Sequence, residues 1–315
     1  MEHQHLSRRR LLWSTALSVP LLAACSGGPD RNAGVDTPPQ SAAEVEATAS
    51  TTPAAPSGTA PPPAAAEQQA TPVAESTSPR PRTIVLDPGH GAEEIGAASA
   101  IGGMPNLAEK DSNLAFSWRL RALLESDGLR VVMTRESDSR AFGYVRPANP
   151  SPGPGGLTPA RADLQARVDF ANQSGADLFL SIHSNDSGSL DENGVEVWYC
   201  GDREVGDRNG IWAQIVLENV LDHLRGYGYR ATNRGTKEDR FFRVRNGRNF
   251  HVFVLGPPNP DSHHPRATMM PAALVENLFM RHARDQYVLR DPDAREAIAQ
   301  GMRRAVHQYF EWQGG

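Results

Sequence analysis

Apolar positions along the chain fall into three regimes. Leu11 to Ala24 is an almost unbroken apolar run, residues 26–81 hold little apolar bulk, and from residue 82 short β-branched runs alternate with stretches of helical periodicity. In the third regime TIVLD (83–87), RVVMTR (130–135), ADLFLSIH (176–183), GVEVWYC (194–200), HVFVL (251–255) and AALVE (272–276) predict strands. Helices are expected between them at 111–127, 160–174, 206–226 and 291–312. In the first, Leu114, Trp118, Leu120, Leu123 and Leu124 recur at roughly helical spacing. The last opens on Asp-Pro and runs from acidic to basic, as a helix dipole favours. Strands alternating with helices predict a single α/β domain over 82–315. The stretches at 147–159 and 256–271 are rich in proline and glycine and read as long loops, candidate rims for substrate specificity.

The first regime is too short for a bilayer span, which needs ~20 apolar residues, and it follows Ser7-Arg8-Arg9-Arg10. Those are the proportions of a signal peptide. Leu22-Ala23-Ala24-Cys25 resembles a bacterial lipobox, which would place a lipid on Cys25, and residues 7–12 resemble a twin-arginine export signal. Residues 26–81, dominated by Pro, Ala, Thr, Ser, Glu and Gln, cannot repay the entropy of folding and read as a disordered tether. The expectation is an exported protein, lipid-anchored outside the cell membrane or in the periplasm, with domains at 1–25, 26–81 and 82–315. A net charge of -5 leaves no basic excess, so nucleic acid is not expected as a partner. Of two cysteines, Cys25 is committed to lipid and Cys200 reads as a small buried hydrophobe. Any metal is therefore expected on histidine and carboxylate.

In open α/β sheets ligands bind beyond the carboxyl ends of the strands, so the polar residues that close each strand are informative. The first strand closes on Asp87-Pro88-Gly89-His90, the third on Ser181-Ile182-His183-Ser184-Asn185 and the last on Val275-Glu276-Asn277. If these strands are parallel neighbours, two histidines and a glutamate converge on one rim. Glu109, in NLAEKDSNLAF, falls just before the first helix, in the loop that would begin near His90. Two imidazoles and a carboxylate with an open position make a zinc site of the kind that hydrolyses amides, and a second carboxylate is needed to carry a proton to the leaving nitrogen. Taken singly, His90 could fill a turn, His183 a core, and Glu109 the first turn of a helix. Glu276 closes an apolar strand, where a carboxylate without a use is costly. Glu93 and Glu94 read as solvated charge, and His263 and His264 as part of the 256–271 rim.

IVLDPGHG, EKDSNLA, RVVMTR, RVDFANQSGADLFLSIHSN, GVEVWY and MPAALVE, in this order, resemble the zinc-dependent N-acetylmuramoyl-L-alanine amidases of bacterial cell walls. The resemblance covers nearly all of 82–312. It implies a twisted, mostly parallel six-stranded sheet flanked by helices, and cleavage of the amide between N-acetylmuramic acid and L-alanine in peptidoglycan or its muropeptides. By match to that family, His90, Glu109 and His183 are the zinc ligands and Glu276 the catalytic glutamate. Asp87 and Asn185 are assigned supporting roles, orienting ligands or substrate. The glycines beside His90 are expected to keep the corner bare for metal and substrate. After the glutamate the family carries a small residue and a glycine before an aromatic, whereas this chain has Asn277-Leu278-Phe279, so a reshaped segment is expected there. Some family members are held inactive by a helix over the metal, and a protein activator is left open as a partner. Two other functions use the same residues: an idle wall-binding or regulatory module, and a zinc peptidase cutting the stem peptide. An idle relative is free to lose a ligand or Glu276, and this chain keeps all four.

Overall fold

The computed structural model describes residues 80–99, 104–151, 158–241, 251–258 and 266–314. The expected signal segment with Cys25, nearly all of the tether, and the middles of both long loops, including His263 and His264, lie outside the described residues.

Along the chain the elements are β1 (Thr83–Pro88), β2 (Ala98–Ser99), β3 (Leu107–Ala108), α1 (Glu109–Ser126), β4 (Arg130–Met133), α2 (Pro159–Gln173), β5 (Leu178–Asn185), β6 (Val195–Tyr199), α3 (Gly206–Tyr227), β7 (Asn233–Glu238), β8 (Ala272–Phe279), α4 (Asp285–Val288) and α5 (Pro292–Gly314). Six strands form one sheet in the order β4-β1-β5-β8-β6-β7. β4, β1, β5 and β8 are mutually parallel, β6 runs antiparallel to β8, and β7 is parallel to β6. The mostly parallel sheet is as expected, and β2 and β3 form a small separate hairpin before α1.

One strand differs from the sequence reading. HVFVL is not a strand; Leu255 and Gly256 donate their amides back to the Val252 carbonyl at 2.9 and 2.7 Å, closing a turn. Its apolar residues Val252, Val254 and Leu255 are buried because they cover the sheet beside Phe179, Trp198 and Leu274. The sixth strand is instead β7, NRGTKE, a half-buried edge strand. Edge strands carry charge that discourages further pairing, which erases the apolar alternation that would reveal them.

Strand parity divides the core in two. Ile84, Leu86, Leu180, Ile182, Val197 and Val275 face α1, α3 and α5, where Phe116, Leu120, Trp212, Val216 and Ala305 meet them. Val85, Phe179, Leu274 and Trp198 point the other way, toward Val168 and Ala171 of α2 and the 252–255 turn. At the carboxyl end of this second face the side chains become polar: Asp87, Ser181, His183, Glu276 and Glu196 are all buried there.

The reshaped segment is a bulge. His183 pairs with Glu276, but Asn185 pairs with Phe279, so β8 carries one extra residue over that interval. Leu278 takes up the bend at φ 64°, the left-handed conformation a glycine adopts freely. The conformation costs about 1–2 kcal/mol for a residue with a side chain. Full burial of the leucine is worth about 1.5–3 kcal/mol and offsets it.

Candidate active site

His90 follows β1, His183 lies near the end of β5, and Glu276 pairs with His183 from β8. Because β1, β5 and β8 are adjacent and parallel, these positions share one end of the sheet. Glu109 arrives from the other direction as the first residue of α1. Its Oε1 lies 3.2 Å from His90 Nε2 and 2.9 Å from His183 Nδ1. The two imidazoles stand nearly edge to face, with centroids 5.0 Å apart at 75°. All three side chains can present one ligand atom within 4.8 Å of the others.

The surroundings fix these groups. The Ala97 amide donates to Glu109 Oε2 at 2.8 Å, and Asn113 and the Ser184 amide both approach Oε1 at 3.3 Å. A Cβ on Gly89 would sit 2.2 Å from Cε1 and Nε2 of His183, so the bare glycine is what lets the His183 ring lie against the β1 turn. His90 itself has φ 62°, a conformation that persists in a residue with a side chain only where its surroundings enforce it.

The enforcement comes from beneath. Arg167 of α2, 1% exposed, donates to the carbonyls of Pro88 and His90, each at 2.7 Å, and pairs with Asp87 at 2.8 Å and Asp163 at 3.0 Å. Arg135 adds bonds to the Pro88 and Gly89 carbonyls, both at 3.0 Å. Asp87 also accepts from Thr134 at 2.6 Å and Ser181 at 2.7 Å. Burial pushes its carboxyl up, but the Arg167 charge and these hydrogen bonds outweigh that and hold it below its ordinary value. Asp87 thus secures the backbone that carries His90. Asn185 is fully buried, and neither its Oδ1 nor its Nδ2 has a hydrogen-bond partner among the described residues. Arg167 was missed by sequence reasoning. The available signal was its i, i+4 spacing from Asp163 on a helix whose neighbouring positions are apolar.

Two buried glutamates are driven in opposite directions. For Glu109 burial raises the pKa, but the flanking His90 and His183 more than reverse it and the carboxylate is held well below its ordinary value. Glu276 is raised well above it, first by burial, then by the charges of Glu109 and Glu196, with Lys237 only partly opposing. Both Glu276 oxygens lack a partner among the described residues. Its other neighbour in register, Glu196, is held ionised despite burial by Lys237 at 2.5 Å and Arg234 at 2.7 Å. Paired carboxyl groups with environments pulling their pKa values apart divide the work of anion and proton carrier. Leu164, Arg140 and the 252–254 segment line a pocket beside His90 and His183.

This is the equipment of a hydrolase acting on a polar bond at the rim of an α/β sheet. Residues 84–308 match the N-acetylmuramoyl-L-alanine amidase family, and the chain belongs to it. The germination-specific N-acetylmuramoyl-L-alanine amidase of Bacillus subtilis is 27% identical over 234 residues, 74% of this chain and 81% of that relative. A probable cell wall amidase of Staphylococcus epidermidis, LytH, is 27% identical over 243 residues, and there the chain spans 63% of a longer protein. Among solved structures, the catalytic domain of CwlV, an N-acetylmuramoyl-L-alanine amidase from Bacillus (Paenibacillus) polymyxa, aligns with a TM-score of 0.51 at 27% identity, covering 73% of this chain and 98% of that one. The chain is accordingly an enzyme of the amidase type.

Proposed function

We propose that this peptidoglycan amidase cuts the bond between N-acetylmuramic acid and L-alanine with a zinc ion held by His90, Glu109 and His183, and with Glu276 as the proton carrier. The donor set fits the ion: two imidazole nitrogens and an ionised carboxylate are common zinc ligands. In a tetrahedral zinc site such N and O donors stand about 3.4 Å apart, against 3.2 and 2.9 Å here. When bound, zinc supplies Lewis-acid polarisation of a carbonyl and acidifies water. The remaining work falls to the chain. Glu276, the register neighbour of His183, takes a proton from the attacking water on a carboxylate oxygen and delivers it to the amide nitrogen as the bond breaks. Asn185, whose buried side-chain amide lacks partners among the described residues, orients ligands or polar groups of the substrate.

The observation that carries this reading is the contrast between Glu109, held ionised between two imidazoles, and Glu276, buried and free of hydrogen bonds. Glu276→Gln tests it. The amide keeps the shape but cannot carry the proton, so zinc content is expected to be retained while turnover falls by about 10²–10⁴-fold. Unimpaired turnover would remove Glu276 from the mechanism.

In this reading residues 1–25 export the chain, Cys25 carries lipid, 26–81 is a flexible tether, and 82–315 is the catalytic domain, working at the outer side of a membrane. Among the described residues no helix is long and apolar enough to cross a membrane. The assigned partners are the peptidoglycan substrate and the membrane lipid, with a protein activator left open. Incorporation of labelled fatty acid, lost in Cys25→Ala, is the expected result for the anchor.

A further inference from the structure

The sequence reading left Cys200 as an inert buried hydrophobe, but the fold surrounds it with other donors. Cys200 closes β6 and is fully buried. Asp239, just after β7, is also fully buried, and His251 is reached after the segment that follows. The Cys200 Sγ lies 3.8 Å from His251 Nδ1, and the Asp239 Oδ1 lies 2.8 Å from that same nitrogen. All three ligand atoms fall within 4.8 Å of one another.

Two explanations compete, a nucleophilic relay and a coordination site. A relay runs through the imidazole: the nucleophile meets one ring nitrogen and the carboxylate the other. Here sulfur and carboxylate converge on a single nitrogen, which relays nothing and is how donors gather round a cation. Tetrahedral zinc separates S and N donors by about 3.6 Å, and N and O donors by about 3.4 Å, so the observed 3.8 and 2.8 Å need adjustments of about 0.2 and about 0.6 Å. The same slight compression marks Glu109 and His183, at 2.9 Å. Thiolate, carboxylate and neutral imidazole together balance a divalent charge, and this mixture of soft and hard donors suits zinc. The other ring nitrogen, His251 Nε2, has the Asp202 carboxylate 3.8 Å away, a charge neighbour beyond hydrogen-bond distance.

We infer that Cys200, Asp239 and His251 form a second zinc site, separate from the catalytic cluster. It joins the end of β6 and the segment after β7 to the 251–255 turn, whose Val252, Phe253 and Val254 line the pocket beside His90 and His183. A cation here pins one wall of the substrate pocket.

The test uses the full chain, loaded with zinc or cobalt(II), and reads metal stoichiometry and the thiolate-to-cobalt charge-transfer absorption. Only the second site contains sulfur, so the band belongs to it alone. Two metal equivalents are expected, with the band present. Cys200→Ala is expected to hold one equivalent and lose the band, and His90→Ala to hold one and keep it. In His90→Ala, zinc is expected to raise the melting temperature, an effect lost on adding Cys200→Ala. One equivalent without the band, removed by His90→Ala, overturns the second site and leaves the catalytic reading standing. One equivalent with the band, persisting in His90→Ala, supports the second site and contradicts the first. No bound metal overturns both.

Discussion

Arg167 offers the sharpest test of how the fold holds His90. Arg167→Met replaces a buried guanidinium with an apolar side chain of similar length. It strands the Asp87 carboxylate, whose remaining hydrogen bonds among the described residues come from Thr134 and Ser181, and removes the donor to the His90 carbonyl. Breaking a buried ion pair from one side costs about 3–5 kcal/mol, and an unsatisfied buried carbonyl about 1–3 kcal/mol more. Some relaxation is expected, so the working figure is about 5 kcal/mol, a large share of a typical ~5–15 kcal/mol total. Urea denaturation of the full chain at neutral pH measures it. Adding Asp87→Asn removes the stranded charge and is expected to recover about 1–3 kcal/mol, the coupling of neighbours in one network. The pH dependence has a definite sign. In the wild type Asp87 is held below its ordinary value of 3.8, so its contribution is present above that value and is lost as pH falls through the lower folded one. In Arg167→Met, burial without the guanidinium raises the Asp87 pKa, so acid stabilises the variant as pH falls toward the unfolded value. The gap between the two proteins therefore narrows with acid. A loss below about 1 kcal/mol, a gap independent of pH, or no recovery in the double variant would refute the assignment of Arg167 as the support of this turn.

Three further expectations are more local. Gly89→Ala places a methyl 2.2 Å from the His183 ring, which Glu109 holds from its other side; zinc content is expected to drop and turnover to fall by about 100-fold or more, and normal values of both would show that the ring has room to move. Asp127 is held at about 2, chiefly by its hydrogen bond from Arg303, with burial opposing and His307 assisting. Its stabilisation is present above the ordinary carboxylate pKa of 3.8 and is lost as pH falls toward about 2. Asp127→Asn is expected to cost about 1 kcal/mol or less at pH 7 after solvent screening, with the difference in melting temperature shrinking below about pH 4; a constant difference would contradict this. Leu278→Gly restores the glycine usual in the family, relieving about 1–2 kcal/mol of backbone strain but forfeiting about 2–5 kcal/mol of core packing. A lower melting temperature is expected, and a higher one would mean that strain dominates.

What the sequence revealed follows from what each element buries. β1, β5 and β8 are covered on both faces, so their continuous apolar runs stand out, and the polar residues that end them mark the site. β7 has no such signature because it is a charged edge strand, and HVFVL mimicked a strand because a covering turn needs the same apolar side chains. The candidate residues His90, Glu109, His183 and Glu276 could be grouped from their places at strand ends and just before a helix, and the fold brings them to one end of the sheet. Their support was not legible in the sequence. Arg167 acts across 77 residues on the His90 carbonyl, and no local pattern announces a backbone acceptor. Cys200, Asp239 and His251 were invisible for a related reason: their spacing belongs to no familiar motif, and only the unexpected β7 brings Asp239 alongside Cys200.

The experiment to make first is mass spectrometry of the products released from purified peptidoglycan by the full chain, as isolated, after chelation, and after zinc is restored. Free stem peptides beginning at L-alanine, lost on chelation and regained with zinc, are the expected result. Stem peptides cut internally, or release unaffected by a chelator that removes all bound zinc, would contradict a zinc amidase built on His90, Glu109, His183 and Glu276.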